Sequence, residues 1–236
     1  MKYLFSFTVA CCLLLSSCRE STNPEMSPDD NFPTNARDFM FAGNVGTEIV
    51  FLETYWSVDT NGVKTVSATT DTTFWTILER DVSHPVGAKA IRIREELHGA
   101  NGIVYNSRDS IYFAYHNDGI SFLPYIRDTF SLMIFKNPLT LGARWSERDV
   151  SGRYIRHIVK SVGEVINTSY KQMKTVRIES HDSTMYDSNL QIETWKYYYA
   201  PEVFMVRTEN SMQVIYPSKK IATSTQVTDL IRYTKK

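Results

Sequence analysis

The sequence is short of cysteine, glycine and net charge, and each shortage excludes something. Only three cysteines occur in 236 residues, Cys11, Cys12 and Cys18, so everything after position 18 lacks disulfides and thiolate metal ligands and must be held together by packing. Ten glycines supply neither a Gly-rich phosphate loop nor a Gly-x-Ser-x-Gly nucleophile elbow. The 26 basic and 26 acidic side chains cancel, which removes any nucleic-acid surface built on net charge. Long segments with the 3.6-residue apolar period of a helix are also missing. What remains, 42% apolar and 13% aromatic residues, is enough to bury a real core and excludes a disordered chain or a multi-span membrane protein.

The first residues follow the grammar of an export signal. A single charge at Lys2 is followed by an apolar run from Tyr3 to Leu15 and then by small residues. That run is shorter than the roughly 20 residues a stable membrane-spanning helix needs. It ends in Leu15-Ser16-Ser17-Cys18, which resembles the lipobox of bacterial lipoproteins. The resemblance implies that residues 1–17 are removed and that Cys18 becomes a lipidated N-terminus. Cys11 and Cys12 would leave with the signal. Arg19 differs from the aspartate that marks inner-membrane retention in that family, which implies the outer membrane. Residues 18–35 contain Pro24, Pro28 and Pro33 and almost nothing apolar, and read as the lipidated cysteine followed by a disordered tether.

Residues 36–236 read as a single all-β domain. Glu48 to Trp56 places Ile49, Phe51 and Tyr55 on one face, and Thr73 to Arg80 sets Phe74 and Leu78 against Trp75 and Ile77. Apolar residues on both faces predict strands covered on two sides. Ala90-Ile91-Arg92-Ile93-Arg94 alternates strictly and predicts a half-buried strand with its arginines in water. Asn61-Gly62, Asn101-Gly102 and Asp118-Gly119 predict three hairpin turns. Further strands are expected at 110–116, 120–125, 130–135, 154–165, 173–179, 192–199, 203–209 and 227–233. Ten or more strands joined by short connections predict a strongly curved antiparallel sheet, barrel-like or half-barrel. Short helices are expected only around Thr34 to Phe41 and Ser218 to Ala222. Phe32-Pro33 leading to Gly46 is echoed by Asn137-Pro138 leading to Gly142, an echo read as chance.

Chemistry is sparse. His84, His98, His116, His157 and His181 show no metal-ligand spacing, so neither metal nor cofactor is expected. In His116-Asn117-Asp118 and His181-Asp182-Ser183 the acid and base types are adjacent, but neighbouring strand residues point to opposite faces. Glu193 beside Trp195 could belong to a sugar-processing site. It shares one strand face with Trp195, Tyr197 and Tyr199, where a row of rings is more simply core packing, and Tyr198 must look the other way. No catalytic residue is assigned and an enzyme is not expected.

Two segments resemble a loose group of uncharacterised bacterial envelope lipoproteins. Asn137-Pro138-Leu139-Thr140-Leu141-Gly142-Ala143-Arg144-Trp145 carries that group's Pro-Leu-x-x-Gly-x-x-Trp. Trp195-Lys196-Tyr197-Tyr198-Tyr199-Ala200-Pro201-Glu202-Val203-Phe204-Met205-Val206-Arg207 resembles its Trp-Tyr-Ala-Pro-Gly-Val-Gly-x-Val-Lys hairpin. Glu202 and Phe204 stand where the group has glycines. The resemblance implies location and β architecture and brings no site residues. The expected function is a lipid-anchored envelope binding or interaction module, with the membrane as partner through Cys18 and an apolar molecule as ligand of the curved sheet. The alternatives are a structural or assembly lipoprotein of the outer membrane and, behind it, a hydrolase.

Overall fold

A computed structural model describes residues 32–67, 70–83, 89–123, 132–148 and 152–236. The signal, Cys18, most of the spacer and His84 lie outside the described residues. Thirteen strands make one sheet: β1 (Glu48–Val58), β2 (Lys64–Val66), β3 (Asp71–Ser83), β4 (Lys89–His98), β5 (Val104–His116), β6 (Gly119–Leu123), β7 (Leu132–Lys136), β8 (Arg144–Arg148), β9 (Tyr154–Asn167), β10 (Gln172–Tyr186), β11 (Asn189–Ala200), β12 (Phe204–Ile215) and β13 (Ile221–Thr234). Every pairing is antiparallel. The order β7-β6-β5-β4-β3-β1-β13-β12-β11-β10-β9-β8, with β2 added beside β1, curls into a nearly closed barrel, as the strand count requires. The two edges meet where the Trp145 indole of β8 donates to the Met133 carbonyl of β7 at 2.9 Å.

The three Asn-Gly and Asp-Gly turns join β1 to β2, β4 to β5 and β5 to β6. Ile91 and Ile93 are buried, while Arg92 and Arg94 bond Glu79 and Asp109 at 2.9 and 2.7 Å. Of the two expected short helices, one is found in shortened form and the other is corrected. The first is a single 3-10 turn, Ala36–Phe39, started by Asn35, whose side chain accepts from the Arg37 amide. Ser218 to Ala222 is not helical: the Lys219 amide bonds the Tyr216 carbonyl and Lys219 takes φ +61°, so the chain reverses and Ile221 opens β13. Strands β2 and β8 escaped the sequence because each is short and mostly polar.

The core lies at one end of the barrel. The segment from Phe32 to Phe41 crosses that end as a plug, with Phe32, Ala36, Phe39, Met40 and Phe41 buried. Its backbone is stitched to the turns around it, Leu139 N–H to the Thr34 carbonyl at 2.8 Å and Ala42 N–H to the Glu202 carbonyl at 2.7 Å. The domain therefore already holds Phe32, Thr34 and Asn35, within the expected tether. Beneath the plug, Phe41, Trp75, Phe113, Phe135, Tyr199 and Phe204 form one aromatic cluster with centroid spacings between 4.2 and 6.3 Å.

Gly119, at the β5–β6 turn, packs against β7 so closely that an added Cβ would sit 1.9 Å from the Phe135 carbonyl oxygen, and its φ is +148°. Gly119→Ala is expected to cost about 2 kcal/mol, because a backbone atom cannot swing aside as a side chain would. A denaturant midpoint unchanged from wild type would contradict this close approach.

Candidate binding cavity

The aromatic cluster fills only part of the barrel. Above it the interior opens into a cavity of about 450 Å³, within the size range of small-molecule sites. Its apolar walls come from every side: Trp75 on β3, Ile111 and Phe113 on β5, Phe122 on β6, Leu132 and Ile134 on β7, Ile155 on β9, Trp195, Tyr197 and Tyr199 on β11, and Phe204 and Met205 on β12. The polar residues are Glu95, Arg108, Arg153, His157, Ser180, Asp182 and Glu193. An aromatic floor thus gives way to a charged mouth.

Strand alternation and register explain the arrangement. On β11 the period of two puts Glu193, Trp195, Tyr197 and Tyr199 on the inner face, as the sequence predicts. The last three rings run nearly parallel, 6.1 Å apart at each step. Burial pushes the Tyr197 and Tyr199 phenols well above their usual range. Tyr198 turns outward to bond Arg177. The reading of this row as core packing holds for Tyr199, which is 2% exposed, and is corrected for Trp195, which walls the cavity. On β10, Ser180 and Asp182 face Trp195 and Glu193 as direct cross-strand partners.

His157 on β9 is paired with Ser180 across the ladder. Its Nδ1 lies 2.6 Å from Ser180 Oγ, and its ring stacks on Trp145 at 5.0 Å and 16°. The residue is 5% exposed and its Nε2 has no hydrogen-bond partner. Burial pushes the imidazole down to about 4. Asp182 holds Arg153 at 3.0 Å, Glu95 accepts from the Trp75 indole at 3.0 Å, and Arg108 has no ion pair among the described residues.

Nearer the open end a second hollow of about 490 Å³ includes Tyr55, Asn210, Met212, Ser224 and Gln226, and Glu193 belongs to both hollows. Behind it, Glu53 is 8% exposed and accepts from Tyr55, Thr73 and, at 2.8 Å, Gln226.

Of the candidates singled out in the sequence, Glu193 and Trp195 are in the cavity. His116 bonds Ser121 at 3.1 Å, and His181 bonds Thr194 at 3.2 Å on the outside, its face opposite to that of Asp182. His98 packs on Phe74. Among the described residues no cluster of three or more His, Cys, Asp or Glu could hold a metal. His157, weighed in the sequence only as a metal ligand, and Asp182, weighed only beside His181, also line the cavity, whereas sequence reasoning missed Ser180 and Arg108. Only the inward parity of Ser180 with Ile178 could have pointed to the first of these two.

No family model matches the chain, and no curated protein matches it. Solved structures do. A Bacteroides fragilis protein described as exported and as having a YmcC-like fold is 13% identical, with 84% of this chain and 100% of that one covered and a TM-score of 0.50. The chain is similar to that protein in fold. A Parabacteroides distasonis protein described as a lipoprotein is 15% identical over 84% of this chain and 99% of that one, with a TM-score of 0.46. At 13% identity the likeness to the Bacteroides fragilis protein is one of fold and extends to no particular residue.

Proposed function

We propose that this protein is a lipid-anchored binding module of the bacterial cell envelope, held at the outer membrane through Cys18, whose half-filled barrel takes up a small molecule with substantial apolar surface. The cavity of about 450 Å³ above the aromatic floor carries the reading, because a barrel of packed side chains alone would be solid throughout. The lipobox residues Leu15 to Cys18 support the anchor, and the Bacteroides fragilis protein of similar fold is itself described as exported. Binding is favoured over catalysis by the state of the polar groups. Ser180 is 2% exposed, and the His157 nitrogen that an orienting carboxylate would hold in a catalytic triad has no partner.

Two measurements test this. Palmitate labelling in cells should mark the wild-type chain and not Cys18→Ala, which should also leave the membrane fraction; equal labelling of both would overturn the anchor. Native mass spectrometry of protein purified without detergent, or titration with an apolar fluorophore, should show one bound molecule per chain. A clean apo mass together with no fluorophore uptake would overturn the cavity as a binding site.

A further inference from the structure

Two unpartnered polar atoms sit where the two hollows are. Four side-chain N or O atoms among the described residues are buried without a hydrogen bond, and two of them, His157 Nε2 and Asn210 Oδ1, belong to residues lining the cavity and the second hollow respectively. Buried polar atoms are nearly always satisfied, and an orphan at a cavity wall marks where a partner from outside would go. His157 is 95% buried by its 5% exposure, and Nδ1 is already committed to Ser180. Depending on which of the pair holds the proton, Nε2 is left as donor or as acceptor, and a hydroxyl group meets either case.

Between the two orphans stand Trp195 and Glu193. Asn210 is the cross-strand partner of Trp195, and Gln226 in turn the partner of Asn210. Planar amides and a carboxylate beside a flat indole suit a ring whose edges carry hydroxyls and whose faces carry C–H groups, since the edges need several hydrogen bonds at once and the faces need apolar cover.

We propose that the cavity and its neighbouring hollow form a carbohydrate site, with a sugar ring against Trp195 and its hydroxyls on Glu193, Asn210 and His157. The inference rests on the cavity being a binding site and names what fills it. Charge sets a preference among sugars. Asp182 is neutralised by Arg153, and Glu193, the carboxylate beside Trp195, is left to accept from hydroxyls and to repel a carboxylate on the ring, so neutral sugars and amino sugars are preferred to uronic acids.

The test is calorimetric titration of the full chain with mono- to trisaccharides of neutral hexoses, N-acetylhexosamines and uronic acids, with palmitate as an apolar probe. At least one neutral sugar should bind, at least tenfold more tightly than its uronic counterpart. Glu193→Gln and Asn210→Ala should each weaken it about tenfold while leaving the melting temperature unchanged. Binding of palmitate with no sugar binding overturns the carbohydrate site and leaves the binding cavity standing. Binding of neither overturns both. Uronic acids binding as well as neutral sugars, or variants that bind sugar like wild type, overturn the assignment of these residues.

Discussion

Phe204→Ala should lower the unfolding free energy by about 4 kcal/mol, near the upper end for an aromatic side chain lost from a packed core. Phe204 is 1% exposed, and its ring meets those of Phe41 and Phe113 at 4.8 Å, Tyr199 at 5.2 Å and Phe135 at 6.0 Å. It therefore joins the plug, β5, β7 and β11 at one point, and no neighbour can close the gap without breaking another contact. Its backbone sharpens the argument. Phe204 takes φ +77° and Glu202 φ +64°, a region that costs a side-chain-bearing residue about 1 to 2 kcal/mol. The fold keeps Phe204 in this strained state because the ring is worth more than the strain. Glu202 is exposed and gains nothing comparable, so Glu202→Gly should be neutral or stabilising by up to about 1 kcal/mol. Denaturant unfolding of both variants distinguishes them. A Phe204→Ala cost under about 1 kcal/mol would mean that the aromatic cluster does not hold the plug.

His157 gives the second large effect, as a function of pH. The folded ring resists protonation down to about 4, because burial penalises the charged form, whereas the unfolded chain takes the proton near the ordinary value of 6.5. Between these values the unfolded state binds more protons than the folded one, so stability rises with pH. The contribution is complete above about 6.5 and is lost as the pH falls toward 4, about 3 kcal/mol in all. Wild type and His157→Asn should thus differ in unfolding free energy by an amount that changes by about 3 kcal/mol between pH 7 and pH 4. A difference constant across that range would show that the imidazole is not held neutral by the fold.

The β architecture was legible because the strand period is local. Ile91 and Ile93 inward, Arg92 and Arg94 outward, and the opposition of Tyr198 to its two neighbours all follow from alternation within a few residues. Turns marked by Asn-Gly and Asp-Gly were legible for the same reason. The β10–β11 and β12–β13 turns were not, since Asp187, Ser188 and Lys219 adopt positive φ without a glycine to announce it. At the β11–β12 turn Glu202 and Phe204 are likewise left-handed with no glycine to announce it. The cavity was only half legible. Glu193 and Trp195 lie on one strand, but the contact of His157 with Ser180 spans 23 residues, and Asn210 meets Gln226 only through the β12–β13 register. Those depend on how strands line up, which a single sequence does not carry.

The echo between Phe32-Pro33 and Asn137-Pro138, read as chance, marks the division of the chain. Strands β1 to β7 follow the first segment and β8 to β13 the second, and the two sets join through β1 and β13 and again, at the seam, through β7 and β8. The opening segments also touch, with the Ala36 amide donating to the Asn137 side chain at 2.7 Å and the Leu139 amide to the Thr34 carbonyl. Each half is a run of neighbouring hairpins, so most of the sheet pairs locally, and the β1–β13 ladder is the step that must wait for the chain's far end.

The plug also fixes which way the molecule faces. Phe32 lies at the stoppered end, and Lys236 lies there too, its amide on the Thr47 hydroxyl, while the two hollows lie beyond the aromatic floor. Both described ends of the chain thus gather on the closed side of the aromatic floor.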